Sequence, residues 1–154
     1  MMNTIFLGYT MTVDKEPRLR ASKRSINRFK DALKELFRQG RGHNINRFIR
    51  EKLNPVIRGW GAYYSLTQVK WIFEELGEWI RRRLRCVLWR QMKRGRTRAR
   101  KLMKRGIGEE RARKSAYNGR GPWWNAGASH MNEAYPMKYF RKLGLAELTK
   151  TKNS

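Results

Sequence analysis

The sequence predicts a mainly α-helical protein: an N-terminal β-hairpin, then a three-helix bundle, then a basic C-terminal region of short helices. Three observations carry that prediction. Apolar residues recur at helical spacing through three segments between Ser22 and Lys93, residues 5–13 alternate as a strand does, and from Arg81 the composition turns basic and glycine-punctuated.

Taken in order, Ile5, Leu7, Tyr9, Met11 and Val13 alternate with Phe6, Gly8, Thr10 and Thr12. Asp14-Lys15-Glu16-Pro17 then reads as a turn and Arg18-Leu19-Arg20 as the return arm. An isolated hairpin is marginal in water, so this one has to lean on the helices or on a partner. Ser22 is placed to cap a first helix running to about Gln39, with Ile26, Phe29, Leu33, Leu36 and Phe37 on one stripe and Gly40 as its stop. Its opposite face, with Lys23, Arg24, Lys30 and Lys34, is either solvated or turned to a polyanion. Asn44 starts a second helix, in which Ile45, Phe48, Ile49 and Leu53 lead to a bend at Pro55.

The third helix spans about Gln68 to Lys93, with Val69, Ile72, Phe73, Leu76, Ile80, Leu84, Val87 and Leu88 on its apolar face. Three such helices bury one shared core. Short helices follow at about Thr97 to Arg105 and Glu109 to Tyr117. A last one, from about Asn132 to Leu143, sets Tyr135, Tyr139 and Phe140 against the body, and residues 149–154 read as a polar tail. The expected divisions are 1–21, 22–95 and 96–154.

Charge narrows the function. The 154 residues carry a net charge of +25, an excess a compact chain tolerates best beside a polyanion, and nucleic acid is the expected partner. Seventeen basic residues lie between Arg81 and Arg120, against Glu109 and Glu110 alone. No apolar run reaches membrane-spanning length and no signal-peptide pattern opens the chain, so a cytoplasmic protein without a membrane partner is expected. Cys86, the only cysteine, permits no internal disulfide or zinc cluster and reads as a small buried apolar residue.

Catalytic chemistry is not expected. Two-metal polymerisation or nuclease chemistry needs clustered carboxylates, and Asp14 and Asp31 are the only aspartates. Glu74, Glu75 and Glu78 are spaced to pair with Lys70, Arg81 and Arg82 along the third helix. His43 and His130 read as loop histidines. No metal site and no cofactor are expected. Arginine donors interleaved with Trp89, Trp123 and Trp124 suit structured RNA, since guanidinium groups hold phosphates and indole faces stack on bases. The Trp pair reads equally well as a hydrophobic plug.

One stretch is unlike a plain core helix. Leu53-Asn54-Pro55-Val56-Ile57-Arg58-Gly59-Trp60-Gly61-Ala62-Tyr63-Tyr64-Ser65 combines a helical rhythm with a proline, two glycines and three large aromatics. Asn54 is suited to capping, Val56, Trp60 and Tyr63 or Tyr64 share a face, and Gly59 with Ala62 leaves a side-chain-poor strip. Either a neighbouring helix or a nucleic-acid backbone fits against that strip.

The pattern Leu-Asn-Pro-x-Ile-Arg-Gly-Trp-x-x-Tyr-Tyr over Leu53–Tyr64 resembles the signature of the maturase-specific domain (thumb, or X domain) of group II intron reverse transcriptases. Phe6-Leu7-Gly8-Tyr9 resembles the segment closing that family's polymerase palm. The Trp79–Arg85 run with Trp89 and Arg96-Thr97-Arg98 resembles its basic helix, and Gly121-Pro122-Trp123-Trp124, Tyr139-Phe140 and Gly144-Leu145 its C-terminal end. The resemblance implies a thumb-like bundle that contacts intron RNA to support folding for splicing. In a full-length enzyme it would also grip DNA or the primer–template duplex as a thumb. The family's aromatic-Ala-Asp-Asp polymerase motif is absent. Candidate nucleic-acid contacts are Lys23, Arg58, Tyr64, Arg81, Arg82, Arg85, Trp89, Arg90, Lys93, Arg96, Arg98, Arg100, Lys101, Arg120, Trp123 and Trp124.

Two other readings stay open: the C-terminal part of a split reverse transcriptase, completed by a fingers–palm chain, and a general basic RNA-binding protein. Met1-Met2 directly before the palm-closing strand is the start a truncated reading frame would give.

Overall fold

A computed structural model describes residues 5–6, 9–11, 19–63 and 71–148. The strand expected from Ile5 to Val13 lies partly outside the described residues. Strand β1 (Ile5–Phe6) pairs antiparallel with β2 (Tyr9–Met11), and β2 with β3 (Leu19–Ala21), in the order β1-β2-β3. The turn expected at Asp14–Pro17 lies outside the described residues.

The rest is helical. Helix α1 (Lys23–Gln39) starts where Ser22 accepts the Ser25 backbone N–H at 3.1 Å, as its sequence position implies. Phe29, Leu33 and Phe37 point from it into the core.

The next segment departs from expectation. The helical backbone continues from α2 (Ile45–Arg47) through a π turn (Phe48–Leu53) into α3 (Asn54–Tyr63). Proline lacks an N–H, and in a regular helix its ring collides with the carbonyl four residues back. The wider turn before Pro55, in which the Asn54 N–H reaches the Ile49 carbonyl, shifts the ladder ahead of that conflict.

Asn54 caps no helix with its side chain. Buried at 2% exposure, it donates from Nδ2 to the Gly144 carbonyl at 2.7 Å and accepts the Ala146 N–H on Oδ1 at 2.8 Å. One amide thus latches the C-terminal segment onto α3. The strip at Gly59 and Ala62 is exposed, with open space around Gly59; the close approach is at Gly61, where an added Cβ would lie 3.2 Å from the Leu148 carbonyl oxygen. Ile57 is fully buried, while Trp60 is half-buried with its ring 5.1 Å from that of Phe29.

Helix α4 (Trp71–Gln91) is the spine, burying Ile72, Phe73, Leu76, Ile80 and Leu84 on the predicted stripe. The basic C-terminal half forms α5 (Gly95–Lys104), α6 (Glu109–Ala116), α7 (Pro122–Gly127), α8 (Ser129–Ala134) and α9 (Met137–Lys142). The single helix expected from Asn132 to Leu143 is broken at Pro136, which supplies no N–H and disfavours a helical Tyr135. One core runs from Phe29 through Leu84 and Leu102 to Phe140. No helix among the described residues is long and apolar enough to cross a membrane.

Candidate nucleic-acid interface

The basic run from Arg81 to Arg120, with Lys23 and Arg58, separates in three dimensions into groups with different work. The first group is used inside the fold. Arg82 donates from Nε and Nη2 to the Trp123 carbonyl at 3.2 and 2.9 Å, its guanidinium 3.9 Å from the Trp123 ring centre. Gly127 allows this, since a Cβ there would lie 2.7 Å from the guanidinium carbon. Arg85, 7% exposed, donates from Nε to the Tyr135 carbonyl at 2.8 Å. Burial, and then the neighbouring Arg81, lower its pKa to about 10, which leaves it charged at neutral pH.

Arg98 lies 4.4 Å from the Trp89 ring centre and donates to the Trp89 carbonyl at 3.4 Å; burial lowers its pKa. Arg105 donates to the Ala134 carbonyl at 2.7 Å and sits 4.7 Å from the Tyr139 ring centre. Ala134 and Tyr135 close α8, and Trp89 lies in the last turn of α4. Arg85, Arg98 and Arg105 therefore satisfy helix C-terminal carbonyls that have no intrahelical donor, where a cation also suits the helix dipole.

Two expected contact residues are corrected by this arrangement. Trp89, 1% exposed, is a core ring packed 5.5 Å from His130, and Arg85 is committed to Tyr135. Neither offers a face to a ligand. Their sequence positions misled because Arg85 and Trp89 flank the apolar stripe of α4, and the helices packed there are short ones whose carbonyls and rings come from far along the chain.

The second group is matched by carboxylates on the surface. Arg111 pairs with Glu133 and also donates to Ser129 Oγ at 3.0 Å, Arg113 pairs with Glu109 at 2.8 Å and Lys114 with Glu110 at 3.3 Å. The hydrogen bond between Arg111 and Glu133 raises the arginine pKa and lowers that of the carboxyl. Among the described residues Glu74, Glu75 and Glu78 make no ion pair with Arg81 or Arg82, and Arg82 turns to Trp123 instead; the other expected partner, Lys70, lies outside the described residues.

The third group is exposed and, among the described residues, without a carboxylate partner. It includes Lys23 at the start of α1, Arg58 on α3, Arg90 and Lys93 at the end of α4, and Arg96, Arg100, Lys101 and Lys104 on α5. Arg96, Arg100 and Lys104 follow one another at four-residue intervals, so their charges form a single stripe with a rise of about 6 Å per step. Ala99 and Leu102 are the buried side of the same helix. Lys104 is not among the sequence candidates, although its spacing from Arg96 and Arg100 identifies it. Tyr64 lies outside the described residues. Arg81 is half-buried, and burial lowers its pKa.

The tryptophan pair sits between the two readings. Trp123 and Trp124 are 39% and 45% exposed, with arginines over their rings: Arg82 closest on Trp123, and Arg120 at 4.8 Å on Trp124. A buried amide network that the sequence did not disclose holds their helix. Asn125, fully buried, donates from Nδ2 to Asn118 Oδ1 and to the Arg120 and Gly121 carbonyls at 3.2, 3.0 and 2.9 Å. Its Oδ1 accepts from Asn118 Nδ2 at 2.7 Å and faces His130 Nε2 at 2.9 Å. That makes Nε2 the protonated nitrogen of a neutral ring. Burial first, and then the Arg111 charge, lowers the His130 pKa. His130 is thus a buried helix residue rather than the loop histidine expected.

Among the described residues no group of three His, Cys, Asp or Glu side chains is placed to hold a metal ion. Cys86 is a buried free thiol, as its sequence setting implied. A search of curated proteins finds no match to the chain. Residues 26–106 match the family model described as Group II intron, maturase-specific domain, a span running from α1 through the α5 stripe.

Proposed function

The chain belongs to the group II intron maturase-specific domain family, and from that membership we propose that it binds structured intron RNA and supports its folding for splicing. The observation that carries this reading is the α5 stripe. Arg96, Arg100, Lys101 and Lys104 are a concentrated charge that the protein leaves unmatched while it matches the basic residues of α6 with carboxylates. An unmatched stripe repels itself in the free protein and gains from phosphates. Arg90 and Lys93 extend it along the end of α4. Residues 1–21 we read as the piece that closes a polymerase palm, 22–95 as the thumb-like bundle and 96–154 as the basic nucleic-acid-binding segment. The proposed role is binding, without polymerase or nuclease chemistry in this chain.

The test is a salt titration of RNA affinity. For the variant Arg96→Gln/Arg100→Gln/Lys104→Gln, the log–log salt slope should fall by roughly 0.7 to 0.9 for each phosphate that the protein no longer neutralises. A control variant, Lys23→Gln/Lys30→Gln/Lys34→Gln on α1, should change it less. An unchanged slope in the α5 variant would remove that helix from the interface.

A further inference from the structure

A second basic feature adjoins the end of α4 and shares Arg90 and Lys93 with the first. The end of α1, the connection to α2 and the second half of α4 enclose a groove of about 520 Å³, within the range of small-ligand sites, about 300–1,000 Å³. Phe37, Cys86 and Val87 line it with apolar surface, and Arg41, Arg83 and Arg90 line it with charge, between Lys34 and Lys93. Two carboxylates face it. Glu35 is engaged by Arg38, at 3.0 and 2.5 Å, and by Gln39 at 3.1 Å, which leaves Asp31 against the remaining cations.

Arg83 is the telling residue. Arg82, Arg85, Arg98 and Arg105 each reach a backbone carbonyl, whereas Arg83, half-buried like Arg82 and Arg98, makes no hydrogen bond or ion pair among the described residues. It lies over rings instead, 5.5 Å from the Trp79 centre and 5.7 Å from those of Phe37 and Trp123. Burial lowers its pKa, and among its charged neighbours Arg90 and Arg41 lower it further. A half-buried guanidinium with donors unused, beside two more arginines and above an apolar floor, matches an anion that carries a flat apolar group.

Resting on the RNA-binding reading above, we propose that this groove receives one unpaired nucleotide of an RNA strand. Its phosphate lies on Arg41, Arg83 and Arg90, and its base lies on the floor formed by Phe37, Cys86 and Val87. A duplex presents phosphates on a convex surface and keeps its base faces stacked, so only a splayed-out base reaches such a floor.

The experiment compares two strands of equal charge on the full chain: a uridine decamer and an abasic phosphodiester decamer. The parent should bind the uridine strand about tenfold more tightly, within what one stacked base supplies. Val87→Gln puts a polar, non-aromatic side chain into the floor without altering charge, and should abolish that discrimination while leaving affinity for an RNA hairpin within about twofold. Arg41→Gln/Arg90→Gln, at exposed positions, should weaken both strands alike. Because Cys86 is the sole cysteine, its alkylation rate in the parent is an independent reporter that needs no variant to fold. The uridine strand should slow it and the abasic strand should not.

Equal affinity of the parent for the two strands, with hairpin binding intact, overturns the pocket, shows a general polyanion groove and spares the RNA reading. Discrimination that survives in a folded Val87→Gln also overturns the pocket. Failure to bind any RNA removes both.

Discussion

Helices α4 and α5 are both rich in arginine and use it in opposite ways. α4 lies against the short helices of the C-terminal half, whose ends leave carbonyls without intrahelical donors. Arg85 is drawn to one of those carbonyls, that of Tyr135, and Arg82 to the Trp123 carbonyl in the first turn of α7 and to the ring beside it. α5 buries Ala99 and Leu102 and leaves Arg96, Arg100, Lys101 and Lys104 in solvent. The same residue type therefore builds the fold where a carbonyl is within reach and forms an electrostatic surface where none is. Arg98 sharpens the point, since it sits on α5 yet behaves like an α4 arginine because Trp89 offers it both a ring and a carbonyl.

The difference can be broken first at Trp89, the ring that anchors Arg98 and packs on His130. Trp89→Ala should destabilise by about 3–5 kcal/mol, measured by urea unfolding. A loss below about 1 kcal/mol would mean that the site collapses without a cavity and that Arg98 needs no anchor. Arg85→Met comes next. It keeps the bulk and leaves the Tyr135 carbonyl unpaired in the interior, at a cost of about 1–3 kcal/mol. Its RNA affinity, measured on the folded fraction, should match the parent; a weaker grip in the folded protein would return Arg85 to the interface.

A smaller effect is pH-dependent. His130 has a folded pKa below its ordinary 6.5, because burial disfavours the imidazolium. The unfolded chain therefore binds the proton more readily. The stability of the neutral ring is fully present above about 6.5 and is lost as pH falls from there through the depressed folded value. The melting temperature should decline between pH 7 and pH 5, before the surface carboxylates are protonated. His130→Gln should flatten that decline; if the variant keeps the full slope, another group is titrating. The smallest effect expected is on the α5 side: Arg96→Gln/Arg100→Gln/Lys104→Gln should leave stability within about 0.5 kcal/mol. A larger loss would show that these side chains pack as the α4 arginines do.

Much of the fold is legible in local pattern. The Ser22 cap, the α1 stripe of Phe29, Leu33 and Phe37, and the α4 stripe from Ile72 to Leu84 all follow from spacing of 3.6 residues per turn. Where reading failed, a single residue met a partner distant in sequence. Asn54 has the look of a cap, and its amide instead holds Gly144 and Ala146, some ninety residues away. Tyr135–Pro136 breaks a helix whose apolar pattern runs through it.

The family is written in the chain from α1 to α5, and so is a cationic surface, because a net charge of +25 leaves far more cations than carboxylates to meet them. Which cations remain free is not written there. Composition counts a guanidinium in the same way whether it faces solvent or a helix end. The carbonyls that claim Arg82, Arg85, Arg98 and Arg105, and the absence of one for Arg83 among the described residues, come into being only when α4 packs against the helices that follow it.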